Sequence, residues 1–343
     1  NGKQRPLGIP ALEDKLVQLA CAKVLTAIYE QDFLDVSYGY RPERSAKDAI
    51  GELTFNLQFG RFGHIVEADI QGFFDHLDHD GLLKMLARRI DDRAFLKLIG
   101  KWLKAGVLDT DGQVLHPATG VPQGGIVSPI LANVYLHYAL DLWFEKRVKA
   151  HCRGEALIIR YADDFVCAFR YRADAERFYR TLPKRLERFH LQVAPEKTQI
   201  IRFSRCHPSM TRRFTFLGFE LYWFPDRQGT PRVMRRTARK KLQGACRRIK
   251  DWIRENRHLK GRAFIAGLNR RLNGHYNYYG VRGNSRSLWR FSQWAIDCSF
   301  KWLNRRGGKR KSFTWKVFTR ALQRLGVAKP RIREPKRPPV VFA

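Results

Sequence analysis

The chain contains, at residues 157–169, the stretch LIIRYADDFVCAF, in which two adjacent carboxylates interrupt an apolar run. The apolar segments on either side predict two strands, so that the two acids lie at the tip of a hairpin. Adjacent like charges raise the pKa of at least one acid unless a cation neutralises them, and Mg²⁺ is the hard cation that carboxylates hold together with substrate phosphates. Asp163 and Asp164 are therefore candidate metal ligands, and the alternative is a solvated turn between strands.

A second strand-like run, HIVEADI at residues 64–70, carries Asp69 near its end. If this strand neighbours the hairpin, Asp69 meets Asp163 and Asp164 at one edge of a sheet. Three converging carboxylates suit a two-metal site, in which one ion activates a 3′-hydroxyl and the other holds a triphosphate. The sequence therefore predicts nucleotidyl-transfer chemistry at this edge.

Two phenylalanines and a further acid follow that strand. Phe73 and Phe74 are predicted to lie just under an incoming sugar. A bulky ring at that place excludes a 2′-hydroxyl and so favours deoxynucleotides. For Asp75 we prefer the simpler interpretation of a helix cap or a solvated acid.

Segments constrained by glycine and proline carry the remaining candidates for nucleotide binding. Gln123 lies in GVPQGG, and its neutral amide can support a nucleotide, although an ordinary loop before a helix is the alternative. Lys3 and Arg5 lie in GKQRPLGIP, where cations suit phosphate contacts. Lys197, in PEKT, is a third candidate cation, and its alternative is a surface lysine.

Positive charge is concentrated in the last third of the 343-residue chain, whose net charge is +33. Residues 1–230 carry 33 basic and 28 acidic side chains, a net +5, whereas residues 231–343 carry 32 basic and 4 acidic ones, a net +28. Such a cationic segment predicts a phosphate-rich polymer as partner, and a membrane-surface role is the weaker alternative. The candidate RNA-binding cluster comprises Arg235, Arg236, Arg239, Lys240 and Lys241.

The apolar patterns predict the order of the elements. Helices are expected over 13–33, 80–90, 93–103, 174–189 and, after Ser128-Pro129, over 130–150; strands are expected over 198–203 and 214–224, and a hairpin over 107–115 with its turn at Asp111-Gly112. From Thr237 onward the pattern is helical. A turn-rich stretch at 226–231 predicts the boundary between two domains.

The composition bears on membrane association and on the redox compartment of the protein. No apolar run reaches membrane-spanning length, so no membrane association is expected. The six cysteines are scattered without a C-x-x-C pair, which favours free thiols in a reducing compartment. Asn1 stands where a start Met would be, within what resembles an ongoing motif, so we expect the chain to lack its natural N-terminus.

Taken in order, the motifs resemble those of the reverse transcriptases encoded by group II introns. The successive blocks are GKQRPLGIP, SYGYRP, EADIQGFFD, GVPQGGIVSPILANVYL, RYADD, APEKT and FLGFEL, followed by LNGHYNYYGV, which is similar to the maturase-specific region. The resemblance implies an α+β fold of the right-hand polymerase type. Fingers and palm with an antiparallel sheet would span residues 1–230, without the N-terminal part of the fingers, and a basic helical thumb and maturase domain would span 231–343.

The resemblance also implies roles for individual residues. The Mg²⁺ site would comprise Asp69, Ile70, Asp163 and Asp164, with Lys197 near the pyrophosphate as a catalytic proton donor. Nucleotide contacts would come from Lys3, Arg5, Gln71, Gly72, Phe73, Phe74 as the sugar gate, and Gln123. The primer grip would comprise Phe216, Leu217, Gly218 and Phe219.

Three functions are compatible with these motifs. The preferred one is an RNA-directed DNA polymerase that uses dNTPs, an RNA template and a DNA primer or target, binds its intron RNA as a splicing maturase and supports retrohoming. The alternatives are a splicing factor without polymerase activity and a related reverse transcriptase in host defence or diversity generation. The expected location is the bacterial cytoplasm, in a ribonucleoprotein at the nucleoid, and the sequence does not specify an oligomeric state.

Overall fold

The computed structural model describes residues 8, 10–105, 107–108, 114–115, 119–120, 124–305 and 313–334. The chain divides into two compact units, one comprising Asn1–Leu217 and Arg227–Pro231 and the other Gly218–Asp226 and Arg232–Ala343. The predicted boundary at 230/231 lies between two strands, Phe219–Pro225 and Pro231–Thr237, and most residues of both strands are grouped with the second unit. Within the described ranges, no helix is long and apolar enough to cross a membrane.

The first unit combines helices with antiparallel strands, which confirms the predicted α+β class. Its helices are α1 (Leu12–Tyr29), α2 (Ala46–Phe59), α3 (His79–Leu86), α4 (Arg93–Lys104), α5 (Ser128–Leu136), α6 (Lys149–His151) and α7 (Arg172–Glu187). Its strands are β1 (His64–Asp69), β2 (Val107–Leu108), β3 (Val114–Leu115), β4 (Ala156–Tyr161), β5 (Asp164–Phe169), β6 (Gln199–Arg202) and β7 (Arg213–Phe216). The predicted 107–115 hairpin is present as the antiparallel pair β2–β3, and its turn residues lie outside the described ones.

Four strands form the sheet that positions the acids, in the order β4-β5-β1-β6. β5 is antiparallel to both β4 and β1, and β1 is antiparallel to β6. The β4–β5 hairpin is the one predicted from residues 157–169, and Tyr161 pairs with Asp164 across its turn. Because β5 lies between β4 and β1, the hairpin acids and the end of β1 meet at the same edge of the sheet.

Aromatic side chains fill the core behind this sheet. Phe169 on β5 lies 5.3 Å from Phe178 on α7, measured between ring centroids, and Phe178 lies 5.6 Å from Phe144. All three are buried. These contacts pack α7 against β5, the strand that begins with Asp164.

The helix predicted after Ser128-Pro129 is continuous from Ser128 to His151, but it is not a regular α-helix throughout. Pro129 occupies its first turn, and α5 is followed by π-type turns at His137–Asp141 and Phe144–Val148 before α6. Such wide turns are uncommon and are often found near functional sites. The first of them contains Asp141, whose side chain is fully buried.

The described residues of the second unit form a strand hairpin followed by helices: β8 (Phe219–Pro225), β9 (Pro231–Thr237), α8 (Arg239–Glu255), α9 (Gly261–Tyr279), α10 (Ser285–Leu303) and α11 (Trp315–Leu325). Its core includes buried apolar residues of α8 to α11, among them Ile253, Leu268, Phe291 and Phe318. The sequence predicted one strand over 214–224. Instead the chain forms β7 and β8, because Leu217 and Gly218 both have positive φ, 49° and 78°, and reverse the chain between them.

Candidate active site

Three carboxylates lie at the edge formed by the ends of β1 and β5. Asp69 is the last residue of β1 and is the direct antiparallel partner of Asp164, the first residue of β5. Asp163 precedes Asp164 in the hairpin turn, after Ala162, whose φ of 57° is in the left-handed region. The register therefore brings Asp69 and Asp164 face to face, and the turn places the third acid beside them.

The electrostatics of this edge favour a proton or a cation on Asp164. Burial, together with the neighbouring Asp163 carboxylate, raises the pKa of Asp164 to about 7. This value includes the effect of a hydrogen bond from the backbone N–H of Leu217, which lowers the pKa, and smaller upward effects of Asp69 and Glu67.

Glu67 is a fourth acid that the sequence did not single out. It lies two residues before Asp69 in β1 and so projects from the same face of the sheet. Its carboxylate accepts hydrogen bonds from Gln199 Nε2, at 2.9 Å, and from the backbone N–H of Thr215, at 3.3 Å. Burial raises its pKa. The available signal was the strand period of two, which puts residues 67 and 69 on one face of β1.

The donor chemistry of this edge fits a divalent cation, although the carboxylates do not surround one point. Oxygen ligands from carboxylates are what Mg²⁺ and similar hard ions require. Among the described residues, however, no group of three His, Cys, Asp or Glu side chains is arranged to hold a metal ion. The Mg²⁺ site therefore stays a prediction, supported by the donor type and by the raised pKa of Asp164.

Lys197 is brought to the acidic edge by the short 3₁₀ turn Pro195–Lys197. Its Nζ lies 2.5 Å from Oδ2 of Asp69, while the backbone N–H of Ala194 donates to the carbonyl of Asp69 at 2.8 Å. The Lys197 side chain is 63% exposed, so it remains accessible to a ligand. A lysine that was indistinguishable from a surface residue in the sequence thus contacts one of the three carboxylates.

The segment after β1 is divided between the surface and the core. Ile70 is buried, so only its carbonyl can serve a metal, whereas Gln71 is exposed and Gly72 is half-buried with φ of 54°. Phe74 is half-buried and meets Phe73 edge to face at 5.2 Å. Phe73 itself is 2% exposed and packs toward Tyr135, so its ring belongs to the core rather than to a nucleotide contact.

Three of the predicted nucleotide contacts, Lys3, Arg5 and Gln123, lie outside the described residues. The flank of the Gln123 loop is described at Gly120, which has φ of 91°. A Cβ there would lie 2.8 Å from the carbonyl oxygens of both Phe74 and Asp75. Gly120 therefore packs against the backbone that carries Phe74, and only glycine fits. Asp75 is exposed, in keeping with the preferred solvated acid.

The predicted primer grip forms the turn that follows β7. Phe216 and Phe219 are buried, whereas Leu217 and Gly218 are half-buried and occupy the turn. The backbone N–H of Leu217 donates to the Asp164 carboxylate. Part of the predicted grip is thus hydrogen-bonded to a predicted metal ligand.

The members of the predicted RNA-binding cluster differ in exposure, because two lie in β9 and three at the start of α8. Arg235 is buried and its guanidinium donates two hydrogen bonds of 2.8 Å to Glu334, so it is not available to phosphate. Arg236 is half-buried and bonded to Glu220 at 2.8 Å. Arg239, Lys240 and Lys241, at the start of α8, are exposed. RNA binding by these three exposed side chains stays a prediction.

The sequence also missed residues that support the hairpin turn. Arg160 lies in an otherwise apolar strand and is completely buried, with Asp141 as its ion-pair partner. Gly39, in SYGYRP, lies against the backbone of Ala162. The available signals were an arginine inside an apolar run and a glycine in a motif for which no role was assigned.

Comparisons with known proteins agree with this geometry. Residues 1–221 match the family model described as "Reverse transcriptase (RNA-dependent DNA polymerase)". The chain belongs to the reverse transcriptase family. The predicted enzyme class, an RNA-directed DNA polymerase, is the class that this description names, and the prediction is confirmed.

Curated relatives refine the family assignment. The chain is 35% identical over 266 residues to Protein YkfC of Escherichia coli strain K12, covering 68% of this chain and 67% of that protein. It is 47% identical over 135 residues to the Group II intron-encoded protein LtrA of Lactococcus lactis subsp. cremoris, covering 39% of this chain and 22% of that protein. Nuclear intron maturase 4 of Arabidopsis thaliana is 25% identical over 151 residues, with 44% of this chain and 18% of that protein covered. These relatives confirm the predicted group II intron type, although the chain matches only about a fifth of the length of the intron proteins.

Among solved structures, apo telomerase from Candida tropicalis is similar over 93% of this chain and 53% of that chain, with a TM-score of 0.49 and 15% identity. A likeness at this level supports no conclusion about activity or partners.

Proposed function

We propose that this reverse transcriptase synthesises DNA on an RNA template at the edge formed by Asp69, Asp163 and Asp164. The observation that carries the proposal is the β1–β5 register, which sets Asp69 directly opposite Asp164. Burial and the neighbouring acids raise the pKa of Asp164, so this position favours a proton or a cation, as is typical of functional sites.

Mg²⁺ is the cation that the residues suit. Its ligands would be the carboxylates of Asp69, Asp163 and Asp164 and the carbonyl of Ile70. When bound as a pair, such ions activate a primer 3′-hydroxyl and stabilise the charge on the leaving pyrophosphate. The high pKa of Asp164 means that a metal ion and a proton compete for this group near neutral pH.

The chain's own residues would then orient the nucleotide. Lys197, exposed and in contact with Asp69, is suited to hold the pyrophosphate and to donate a proton to it from Nζ. The half-buried ring of Phe74 is suited to pack under the sugar of a dNTP, with Gln71 and Gly72 beside it. On the sequence resemblance alone, Lys3 and Arg5 would bind the triphosphate, Gln123 would contact the nucleotide, and Phe216–Phe219 would grip the DNA primer.

The RNA partners follow from charge and from the names of the relatives. The net +28 of residues 231–343 suits a long polyanion. LtrA is named as a group II intron-encoded protein and the Arabidopsis relative as an intron maturase. We therefore propose that the chain binds intron RNA to assist its splicing, that the resulting ribonucleoprotein supports retrohoming into DNA, and that it works in the bacterial cytoplasm near the nucleoid.

Primer extension on an RNA template with dNTPs and Mg²⁺ tests the proposal. Asp163→Asn and Asp164→Asn should each lower kcat by at least about 100-fold, because a lost ligand removes stabilisation that develops in the transition state. Intron RNA binding should stay close to that of the unmodified chain.

The matched control is Glu187→Gln, which neutralises an exposed acid at the end of α7 and should leave extension unchanged. Substantial extension by either Asn variant would overturn the metal assignment. Intron RNA binding by an unmodified chain that does not extend primers would instead support the splicing factor without polymerase activity.

A further inference from the structure

Arg160 is an arginine in the middle of an apolar strand. Its side chain and that of Asp141 are both 0% exposed. Nε of Arg160 donates to one carboxylate oxygen of Asp141 at 2.7 Å, and Nη2 donates to the other at 2.6 Å. Such a bidentate pair compensates both charges, but a pair of apolar side chains of similar size would stabilise a core at least as well. Stability alone therefore does not explain why the pair is there.

The third nitrogen of the guanidinium is directed at the acidic hairpin. Nη1 of Arg160 donates to the carbonyl of Ala162 at 2.9 Å and to Oδ1 of Asn133 at 3.0 Å. Ala162 is the left-handed residue immediately before Asp163. A fully buried cation thus holds the backbone of the turn that carries two of the predicted metal ligands.

Asn133 extends the same hydrogen-bond network to a second element. Its Nδ2 donates to the carbonyl of Gly39 at 2.7 Å. The segment before Gly39 also lies along β4, because Tyr38 N–H donates to the carbonyl of Arg160 at 2.9 Å. The segment around Gly39 is therefore tied to the hairpin both through its backbone and through Asn133.

Gly39 packs directly against the backbone of the turn at Tyr161 and Ala162. A Cβ at Gly39 would lie 2.3 Å from the backbone nitrogen of Ala162 and 3.0 Å from the carbonyl carbon of Tyr161. Both atoms belong to the backbone, so no side chain can move to relieve the overlap. The turn before Asp163 is thus held by Arg160 through a hydrogen bond and by Gly39 through direct packing.

We propose that Arg160, Asn133 and Gly39 are positioning residues that fix the turn bearing Asp163 and Asp164 for catalysis, and that the buried Arg160–Asp141 pair serves this placement rather than stability. The proposal rests on the polymerase function proposed above. A network that is merely structural would support folding without influencing the turnover of the folded protein.

The double variant Arg160→Met with Asp141→Leu separates the two interpretations, because it removes the whole ion pair and leaves no buried charge behind. We expect a folded variant with a modestly lower melting temperature, because the Ala162 carbonyl and Asn133 Oδ1 lose the Arg160 donor. The kcat for primer extension should be about 100-fold lower, with the KM for dNTP changed less than about threefold, since small misplacements of reacting groups reduce turnover. A folded double variant with unchanged kcat would overturn the proposal.

Two glycine-to-alanine variants test the same inference without changing any charge. They decide whether the proposal holds even if the double variant does not fold. Gly39→Ala forces the turn to shift and should lower kcat about 10-fold or more. The matched control is Gly100→Ala in α4, where a Cβ would meet Cδ1 of Leu83 at an ordinary 3.5 Å, and it should keep full turnover. Equal kcat in the two alanine variants would contradict the positioning role.

Amide hydrogen exchange provides a readout that does not depend on catalysis. The amides of Ala162, Asp163 and Asp164 should exchange faster in the double variant and in Gly39→Ala, while those of α7 keep their protection. If the unmodified chain fails to extend primers, the polymerase proposal fails and exchange still decides whether the network holds the turn. If the chain extends primers but neither exchange nor kcat responds, the network is structural and the polymerase proposal stands.

Discussion

Buried charge is treated in opposite ways at two places, the arginines of β9 in the second unit and the ends of β1 and β5 in the first. In the second unit, the buried Arg235 of β9 has two hydrogen bonds to Glu334, and the half-buried Arg236 is bonded to Glu220. In the first unit, the ends of β1 and β5 bring Asp69 and Asp164 face to face, and the pKa of Asp164 is raised to about 7. The difference indicates that arginines of the helical unit are neutralised for the sake of its fold. At the sheet edge, Asp164 instead lies buried beside other acids, so its ionisation costs stability.

The neutralised charge of the second unit can be tested by replacing Glu334, the partner of Arg235. Its carboxylate accepts two hydrogen bonds from Arg235 and one of 2.7 Å from the backbone N–H of Arg282, and the hydrogen bond from Arg235 is the main reason that its pKa is lowered against the effect of burial. Glu334→Gln should reduce the free energy of unfolding by about 3 kcal/mol at pH 7, because it leaves a buried guanidinium without its counter-charge.

A lowered pKa stabilises the folded state above the pKa of the unfolded chain, and this contribution is lost as the pH falls through the folded value. The difference between Glu334→Gln and the unmodified chain should therefore shrink on acidification. Glu255→Gln, at an exposed acid of α8, is the control for denaturant unfolding. Equal stability of the two variants would contradict the comparison.

For the β1–β5 edge of the first unit, neutralising Asp164 should change the free energy of unfolding in the opposite direction. A raised pKa favours the folded state below the pKa of the unfolded chain, and this contribution is lost as the pH rises through about 7. Asp164→Asn carries no such penalty and should unfold at higher denaturant than the unmodified chain at pH 8 in EDTA, by roughly 2 kcal/mol. The gain should vanish near pH 4 and should diminish at pH 8 when Mg²⁺ stabilises the unmodified chain. A destabilised Asn variant at pH 8 would show that the edge is not strained by charge.

The exposed cations at the start of α8 sharpen the contrast between buried and solvent-facing charge. Replacing Arg239, Lys240 and Lys241 together by Gln should weaken binding of structured RNA about 10-fold and reduce the salt slope by about one for each lost phosphate contact. Residues after Pro231 should account for most of the slope, given their net +28. RNA binding measured at several salt concentrations tests this, with metal-dependent chemistry at saturating primer and template as the control. An unchanged slope would mean that these charges only solubilise the unit.

Phe74 tests whether the acidic edge selects its substrate. Phe74→Ala or Phe74→Val should raise the ratio of kcat/KM for ribonucleotides to that for deoxyribonucleotides by several-fold, up to about 10-fold, because specificity is such a ratio. Phe73→Leu is the matched control, since the ring of Phe73 lies in the core and should influence stability rather than the ratio. An unchanged ratio in an active Phe74 variant would place the gate elsewhere.

The strands around the acids could be predicted because continuous apolar runs mark them. The strand over 64–70 and the hairpin over 157–169 both carry apolar runs that end in acids, and both are present. α2 was not predicted, although Ser45 and Asp48 form a capping box that is visible in the sequence. The turn at Leu217 could not be foreseen, because leucine rarely adopts a positive φ.

The site was less predictable than the fold, because the sequence does not show which of the candidate side chains are buried. The prediction that Phe73 contacts a nucleotide was not supported, because a 3₁₀ turn directs its ring into the core. Arg235 belongs to a run of basic residues, but the alternation of β9 buries residues 233, 235 and 237 together. A run of like charges hides this period-two pattern. Lys197 lies far from Asp69 in the sequence, and only the folded chain brings them into contact.

The left-handed backbone of Ala162 restricts how this enzyme can change during evolution. At a φ of 57°, glycine, asparagine and aspartate are tolerated, whereas β-branched residues are strained. Residue 162 is also 6% exposed, and Gly39 lies against its nitrogen. Enlarging this residue would therefore require a compensating change in the segment around Gly39. Positions 39 and 162 should vary together among descendants of this chain, or not at all.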